Sequence, residues 1–129
     1  MHENEIAETV VDAAVKIHKA LGPGVLELVY QVILAQELRN RGLSVVREVP
    51  VPIRWEGICF EEGFRLDLLV EDKVIVEVKA QEKLPRAAWR QTLTYLRLAN
   101  KRLGLLLNFH EELMKDGITR IVNGLDEQE

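Results

Sequence analysis

The run Val74-Ile75-Val76-Glu77-Val78-Lys79-Ala80 constrains the fold more than any other stretch of this chain. Five of its seven residues are apolar and three are valines, the composition of a strand covered on both faces. Such a strand needs helices above and below the sheet, so the chain must supply amphipathic helices for two layers. Glu77 and Lys79 interrupt the run two residues apart, so they project from one face. Ionised side chains within a covered strand cost several kcal/mol unless they are paired or hold an ion. Folding alone would place Val or Ile at both positions.

The helices are legible on either side. Ile6, Val10, Ala13, Ala14, Ile17 and Leu21 recur at helical spacing and predict a helix over about 4–21. Gly22-Pro23-Gly24 ends it. A second helix is expected over about 25–41, with Leu26, Val29, Ile33, Leu34 and Leu38 buried and Gly42 beyond its end. From Leu43 to Trp55 the texture turns β-rich, and Pro50 and Pro52 mark an edge strand or a bulge. Glu56-Gly57 reads as a turn, Ile58-Cys59-Phe60 as a short returning strand, and Gly63–Val70 and Val74–Ala80 as two more. Pro85 opens a helix to about Asn100, in which Trp89, Leu93 and Leu96 are expected to face the sheet. Leu103–Phe109 is a further strand, and a short helix is expected from Glu111. The predicted order is ααββββαβα in one domain spanning 1–129, an α/β fold with a mixed central sheet flanked by helices.

Asp67 repeats the anomaly of Glu77, a lone acid within the apolar run Phe64–Val70. Opposed residues of an antiparallel pair share a face. A three-residue loop, Glu71-Asp72-Lys73, with Val70 opposite Val74 therefore brings Asp67 opposite Glu77. One account of Asp67, Glu77 and Lys79 is an ion pair at the sheet rim. The other is a pair of carboxylates gathering a hard divalent cation, with an ammonium beside the reacting group. Magnesium takes oxygen ligands and keeps several waters, so two carboxylates and a main-chain carbonyl suffice to hold it. It polarises a phosphoryl oxygen and makes a bound water nucleophilic near neutral pH. Acids gathered without a cation repel each other, so at least one should hold its proton more tightly than usual.

Charge adds a second line. The chain carries 17 Lys and Arg against 21 Asp and Glu, a net charge of −4. Yet the segment from Lys79 to Arg102 holds Lys79, Lys83, Arg86, Arg90, Arg97, Lys101 and Arg102 against the single acid Glu82. Such asymmetry suits an anionic partner on one face, although a solvated helix face carries similar charge. One cysteine excludes an internal disulfide and a thiolate zinc cluster, and His18, His110 and Cys59 form no catalytic spacing. No apolar run is long enough to span a membrane, and the acidic N-terminus lacks a secretory signal, so a cytoplasmic setting is expected.

Asp67 followed after nine residues by Glu77-Val78-Lys79 resembles the D…(D/E)xK signature of the PD-(D/E)XK nuclease superfamily. Gly24-Val25-Leu26-Glu27-Leu28-Val29-Tyr30 is similar to the GxxExxY motif that names one of its families, and Gln91-Thr92-Leu93-Thr94-Tyr95 to the QxxxY pattern of RecB-like members. The likeness runs from about Ile6 to Val122; Leu66 stands where the superfamily name has proline. The resemblance implies a restriction-endonuclease-like α/β/α core and a metal-dependent nuclease acting on phosphodiester bonds, with DNA expected before RNA. It makes Asp67, Glu77 and the Val78 carbonyl ligands of Mg²⁺ or Mn²⁺, adds Glu27 from its helix, and makes Lys79 the residue that assists attack by water. Glu27 also suits a helix's first turn on electrostatic grounds alone. Tyr30 and Gln31 share its face, and Tyr30 is expected to pack beside it without touching substrate. Gln91 and Tyr95 would face the site, although a plain polar stripe has the same spacing. Lys83, Arg86, Arg90, Arg97 and Lys101 would contact phosphates without reading sequence. So short a chain leaves specificity to a homodimer or a partner protein. A non-catalytic nucleic-acid-binding or partner-binding module on the same fold is the alternative reading.

Overall fold

A computed structural model describes residues 1–126. Helices α1 (Glu3–Leu21) and α2 (Glu27–Asn40) precede strands β1 (Val45–Trp55), β2 (Ile58–Val70) and β3 (Val74–Lys79). Helix α3 (Arg86–Ala99), β4 (Leu103–Asn108), a 3-10 turn over Met114–Gly117 and β5 (Ile118–Val122) complete the chain. The five strands lie side by side in chain order. β3 and β4 are parallel, joined through α3, and all other neighbours are antiparallel. The mixed sheet and flanking helices are those expected of a restriction-endonuclease-like α/β fold.

Alternation along the strands builds two cores. Val74, Val76 and Val78 of β3 and Leu103, Leu105 and Leu107 of β4 pack beneath α1 and α2 with Ile6, Val10, Ala14, Tyr30 and Leu34. Ile75 and Leu106 point the other way and meet Ala88 and Leu96 of α3. Gly104 lets α3 come close, since a Cβ there would lie 3.1 Å from the Thr92 Cγ2. Glu77 and Lys79 alternate with the valines and so fall on the α3 side of the sheet.

Several expected elements differ. Ile58–Phe60 and Gly63–Val70 are one continuous strand, β2, because the β1–β2 hairpin keeps pairing from Trp55↔Ile58 to Val45↔Val70. The register shifts between Val51 and Ile53, where Pro52 supplies no donor, and β1 is an edge strand as its prolines imply. The short final helix is a single 3-10 turn followed by a strand. Ile118-Thr119-Arg120-Ile121-Val122 pairs with β4, which satisfies that strand's outer edge. The observed order is thus ααβββαββ with a 3-10 turn before the last strand. Leu26 and Val29, expected in the core, are 76% and 39% exposed, and Ile33 is only half-buried. The buried side of α2 is Tyr30, Gln31, Leu34, Ala35 and Leu38. Trp89 is likewise 46% exposed; Ala88, Thr92 and Leu96 take the sheet-facing side of α3. The three-residue hairpin at 71–73 is as expected, with Val70 opposite Val74.

Candidate active site

β2 and β3 part company at the acids. Their ladder stops at Leu68↔Val76, and carboxylates take over the backbone bonding one step further on. The Asp67 N–H donates to Glu77 Oε2 at 2.8 Å, and the Val78 N–H donates to Asp67 Oδ2 at 2.8 Å. Each carboxylate thereby replaces a missing ladder partner and is fixed by the opposite strand. The second oxygens, Asp67 Oδ1 and Glu77 Oε1, accept no hydrogen bond among the described residues. Lys79 C=O accepts from the Phe109 N–H on the β4 side. The alternation of a strand therefore turns the Val78 N–H and C=O toward β2 and Asp67.

Glu27 reaches the same place from α2. It opens the helix after Leu26, and its Oε2 accepts from the Ala80 N–H at 3.3 Å, just beyond Lys79. The loop that presents it is pinned by Tyr30. That fully buried side chain donates its hydroxyl to Gly22 C=O, accepts from the Val25 N–H at 3.3 Å, and stacks on Phe109 at 4.3 Å. The tyrosine of the GxxExxY run is thus a fastener for the loop carrying the glutamate, as its packing role predicts. Gln31 is buried one turn on and accepts twice from the Arg47 guanidinium, at 3.2 and 3.0 Å.

The electrostatics follow from burial and crowding. Glu77 is only 4% exposed. Burial first, and then the Asp67 charge, push its pKa up to about 8, against the pull of the Asp67 N–H and the Lys79 ammonium. Asp67 is also raised, mainly by burial, with Glu27 and Glu48 adding negative charge and the Val78 N–H and Lys79 opposing. Lys79 is half-buried and makes no ion pair among the described residues, so the rim ion pair is not what places it there. Tyr95, stacked on Phe64 at 4.2 Å, has its hydroxyl held in the protonated form by burial and by the Glu77 and Asp67 charges.

A cation fits this donor set in part. Glu27 approaches the end of the β2–β3 seam where Asp67 and Glu77 lie, and burial, with mutual repulsion, makes those two hold their protons more tightly than usual. Among the described residues, however, no three His, Cys, Asp or Glu side chains lie close enough together to hold a metal ion between them. The carboxylates instead rest on backbone N–H groups, each leaving one oxygen for a cation or its waters.

A family model for the PD-(D/E)XK nuclease superfamily matches residues 4–121. The chain belongs to this superfamily. No curated protein and no solved structure matches it. Superfamily membership suggests nuclease activity and implies a nucleic-acid substrate, and nucleases of this group typically use divalent metals. The two acids of the D…(D/E)xK pattern exchange bonds with the opposite strand's backbone where β2 and β3 separate, and its lysine, Lys79, lies within electrostatic reach of both.

The remaining predicted residues are placed less centrally. Gln91 is exposed and makes no hydrogen bond among the described residues, while Tyr95 lies within electrostatic reach of the acids. Arg86, Arg90 and Arg97 form an exposed stripe roughly opposite the sheet-facing side of α3, at about 100° per residue. Lys83 is exposed before the helix, whereas Lys101 is tied to Asp72 at 3.1 Å. No described helix is long and apolar enough to cross a membrane.

Sequence reasoning passed over two residues. Buried Asn108 clasps the loop after Lys79: its Oδ1 accepts from the Gln81 N–H at 3.1 Å and its Nδ2 donates to Gln81 C=O at 2.9 Å. A polar residue closing the apolar run Leu103–Leu107 was the available signal. Glu48 adds negative charge to both Asp67 and Glu77, and only its being an acid within a valine-rich strand hinted at it.

Proposed function

We propose that this protein is a divalent-metal-dependent nuclease of the GxxExxY, QxxxY-bearing branch that hydrolyses phosphodiester bonds, with DNA as the substrate to test first. The observation that carries the reading is the exchange of carboxylates between β2 and β3. Burying two acids there costs folding more than an ordinary ladder of apolar residues would, and each is held with one oxygen to spare. Asp67, Glu77 and the Val78 carbonyl would hold Mg²⁺ or Mn²⁺, with Glu27 reached directly or through water. When bound, the cation supplies Lewis acidity toward the phosphoryl oxygen and a water of lowered pKa.

The other residues then have separable tasks. Lys79, on the same strand face as Glu77, orients the attacking water and offsets negative charge growing on phosphorus. Tyr30 and Asn108 fix the two loops that flank it. Tyr95 offers a protonated hydroxyl beside the acids, and Gln91, one turn earlier, would act on the substrate side. Arg86, Arg90, Arg97 and Lys83 would bind backbone phosphates away from the scissile bond, and Lys101 would add to them once freed from Asp72.

Labelled DNA incubated with Mn²⁺ separates these tasks. Lys79→Ala should lose turnover by about 10²-fold or more, as when a transition-state donor is removed, with little change in DNA affinity. Full activity in Lys79→Ala would sink the mechanism.

A further inference from the structure

Five non-glycine residues adopt positive φ among those described: Glu48, Glu56, Glu71, Asp72 and Asn100. Glu56 lies in the β1–β2 turn, Glu71 and Asp72 in the β2–β3 turn, and Asn100 caps α3. Glu48, at φ 54°, is the one inside a strand. Glutamate has no ordinary reason to be there, since an L side chain disfavours this region and only Gly, Asn and Asp enter it readily.

The ladder shows what that conformation does. Rungs run Val45↔Val70, Val46↔Leu69 and Arg47↔Leu68, then resume at Val49↔Leu66 with the same register. The missing rung is Glu48 and Asp67. On one side of it Val45, Leu68 and Val70 pack beneath α1 and α2. On the other, Val49, Val51, Phe64 and Leu66 pack against the α3 cluster. Strict alternation would keep Leu66 with Leu68 and Val49 with Val45. Both strands therefore change face at this rung: β1 does so at the left-handed Glu48, and β2, which has no left-handed residue of its own there, turns over with it. Asp67 sits at the crossing, where its N–H leaves the ladders and passes to Glu77 Oε2.

We infer that the left-handed backbone of Glu48 is a positioning device for the acids: it turns β1 and β2 over at Asp67, so that the carboxylate exchange with Glu77 and Val78 can form. The conformation is the working element, and the Glu48 charge is secondary. For its consequence in cation binding, though not for its geometry, this rests on the nuclease reading above.

The test compares Glu48→Gly, Glu48→Asn and Glu48→Val. All three remove the charge, and only valine opposes positive φ. Amide hydrogen exchange is read at Asp67 and Val78 in metal-free protein, and the half-saturating Mn²⁺ concentration is read from melting temperature. Glycine and asparagine should keep both amides protected. Relative to Glu48→Gly, valine should lose about tenfold in protection at both and need about tenfold more Mn²⁺, the factor that matches the disfavoured left-handed conformation of a side chain with a Cβ. If valine does not fold, Glu48→Ala replaces it and should fall between valine and glycine. Equal loss in all three variants would assign the effect to charge and overturn the inference, as would unchanged protection in valine. A wild type that ignores Mn²⁺ would defeat the nuclease reading while leaving the amide comparison decisive for this one.

Discussion

Replacing Glu77 by glutamine should stabilise the metal-free protein, by an amount that grows as pH rises above about 4.5 and levels off beyond about 8. The folded chain holds the Glu77 proton up to about 8, against an ordinary 4.5. Because the folded value is the raised one, stability is fully present below pH 4.5 and is lost as pH climbs through about 8, where the folded state must accept the charge. The ceiling on that loss is about 5 kcal/mol at 1.36 kcal/mol for each tenfold step. Asp67 shares the crowding and is raised as well, so the pair divides the cost, and about 2–3 kcal/mol is the expected figure. Glutamine keeps an acceptor for the Asp67 N–H, now at 2.8 Å from Oε2, and carries no charge. Thermal melts in EDTA from pH 5 to 9 should show the wild type falling by roughly 10 °C while Glu77→Gln stays nearly level. With Mn²⁺ present the wild type should recover stability increasingly as pH rises, because protons and cation compete for the same oxygens. Parallel pH profiles for the two proteins in EDTA would refute the reasoning.

Three further outcomes follow from the same geometry. Divalent cation in hundredfold excess over its Kd should stabilise the wild type by about 2.7 kcal/mol by mass action, and calorimetry should find most of that gain absent from Asp67→Asn. Arg86→Ala combined with Arg90→Ala should weaken DNA binding and flatten its salt dependence by about one unit of slope for each phosphate no longer neutralised, measured by fluorescence anisotropy across salt; equal affinity at every salt concentration would make the stripe a solvated face. Tyr30→Phe keeps the stack on Phe109 but leaves Gly22 C=O without its donor, so urea unfolding should report a loss of about 1–3 kcal/mol.

The parts of the site that depend on period and parity were legible in the sequence. Glu77 and Lys79 share a face because strands repeat every two residues. Asp67 meets Glu77 because three residues link Val70 to Val74, and Pro50 and Pro52 mark the edge strand. Helix α2 was harder, since Leu26, Leu28, Val29, Val32, Ile33 and Leu34 surround it with apolar side chains. Periodicity placed Leu34 and Leu38 inside, as they are, but not their inner neighbours Tyr30, Gln31 and Ala35. Trp89 misled for a related reason, since its stripe with Leu93 and Leu96 suggested the sheet-facing side, while the near approach of α3 to Gly104 favoured the smaller Ala88 and Thr92. The last strand did carry its signal in the β-branched run Ile118-Thr119-Arg120-Ile121-Val122. Glu48 carried a hint of its charge but none of its left-handed backbone, which is imposed by the crossing of two strands and contradicts its own preference.

The central claim, that these acids serve cation-dependent phosphodiester hydrolysis, is tested most directly by one cleavage measurement. End-labelled DNA, with RNA of the same sequence beside it, is incubated with wild type and with Asp67→Asn in Mg²⁺, in Mn²⁺ and in EDTA. Cleavage by the wild type in either metal, abolished both by EDTA and by Asp67→Asn, is the predicted result. Cleavage that persists in EDTA, or that Asp67→Asn performs as fast as the wild type, would contradict the account.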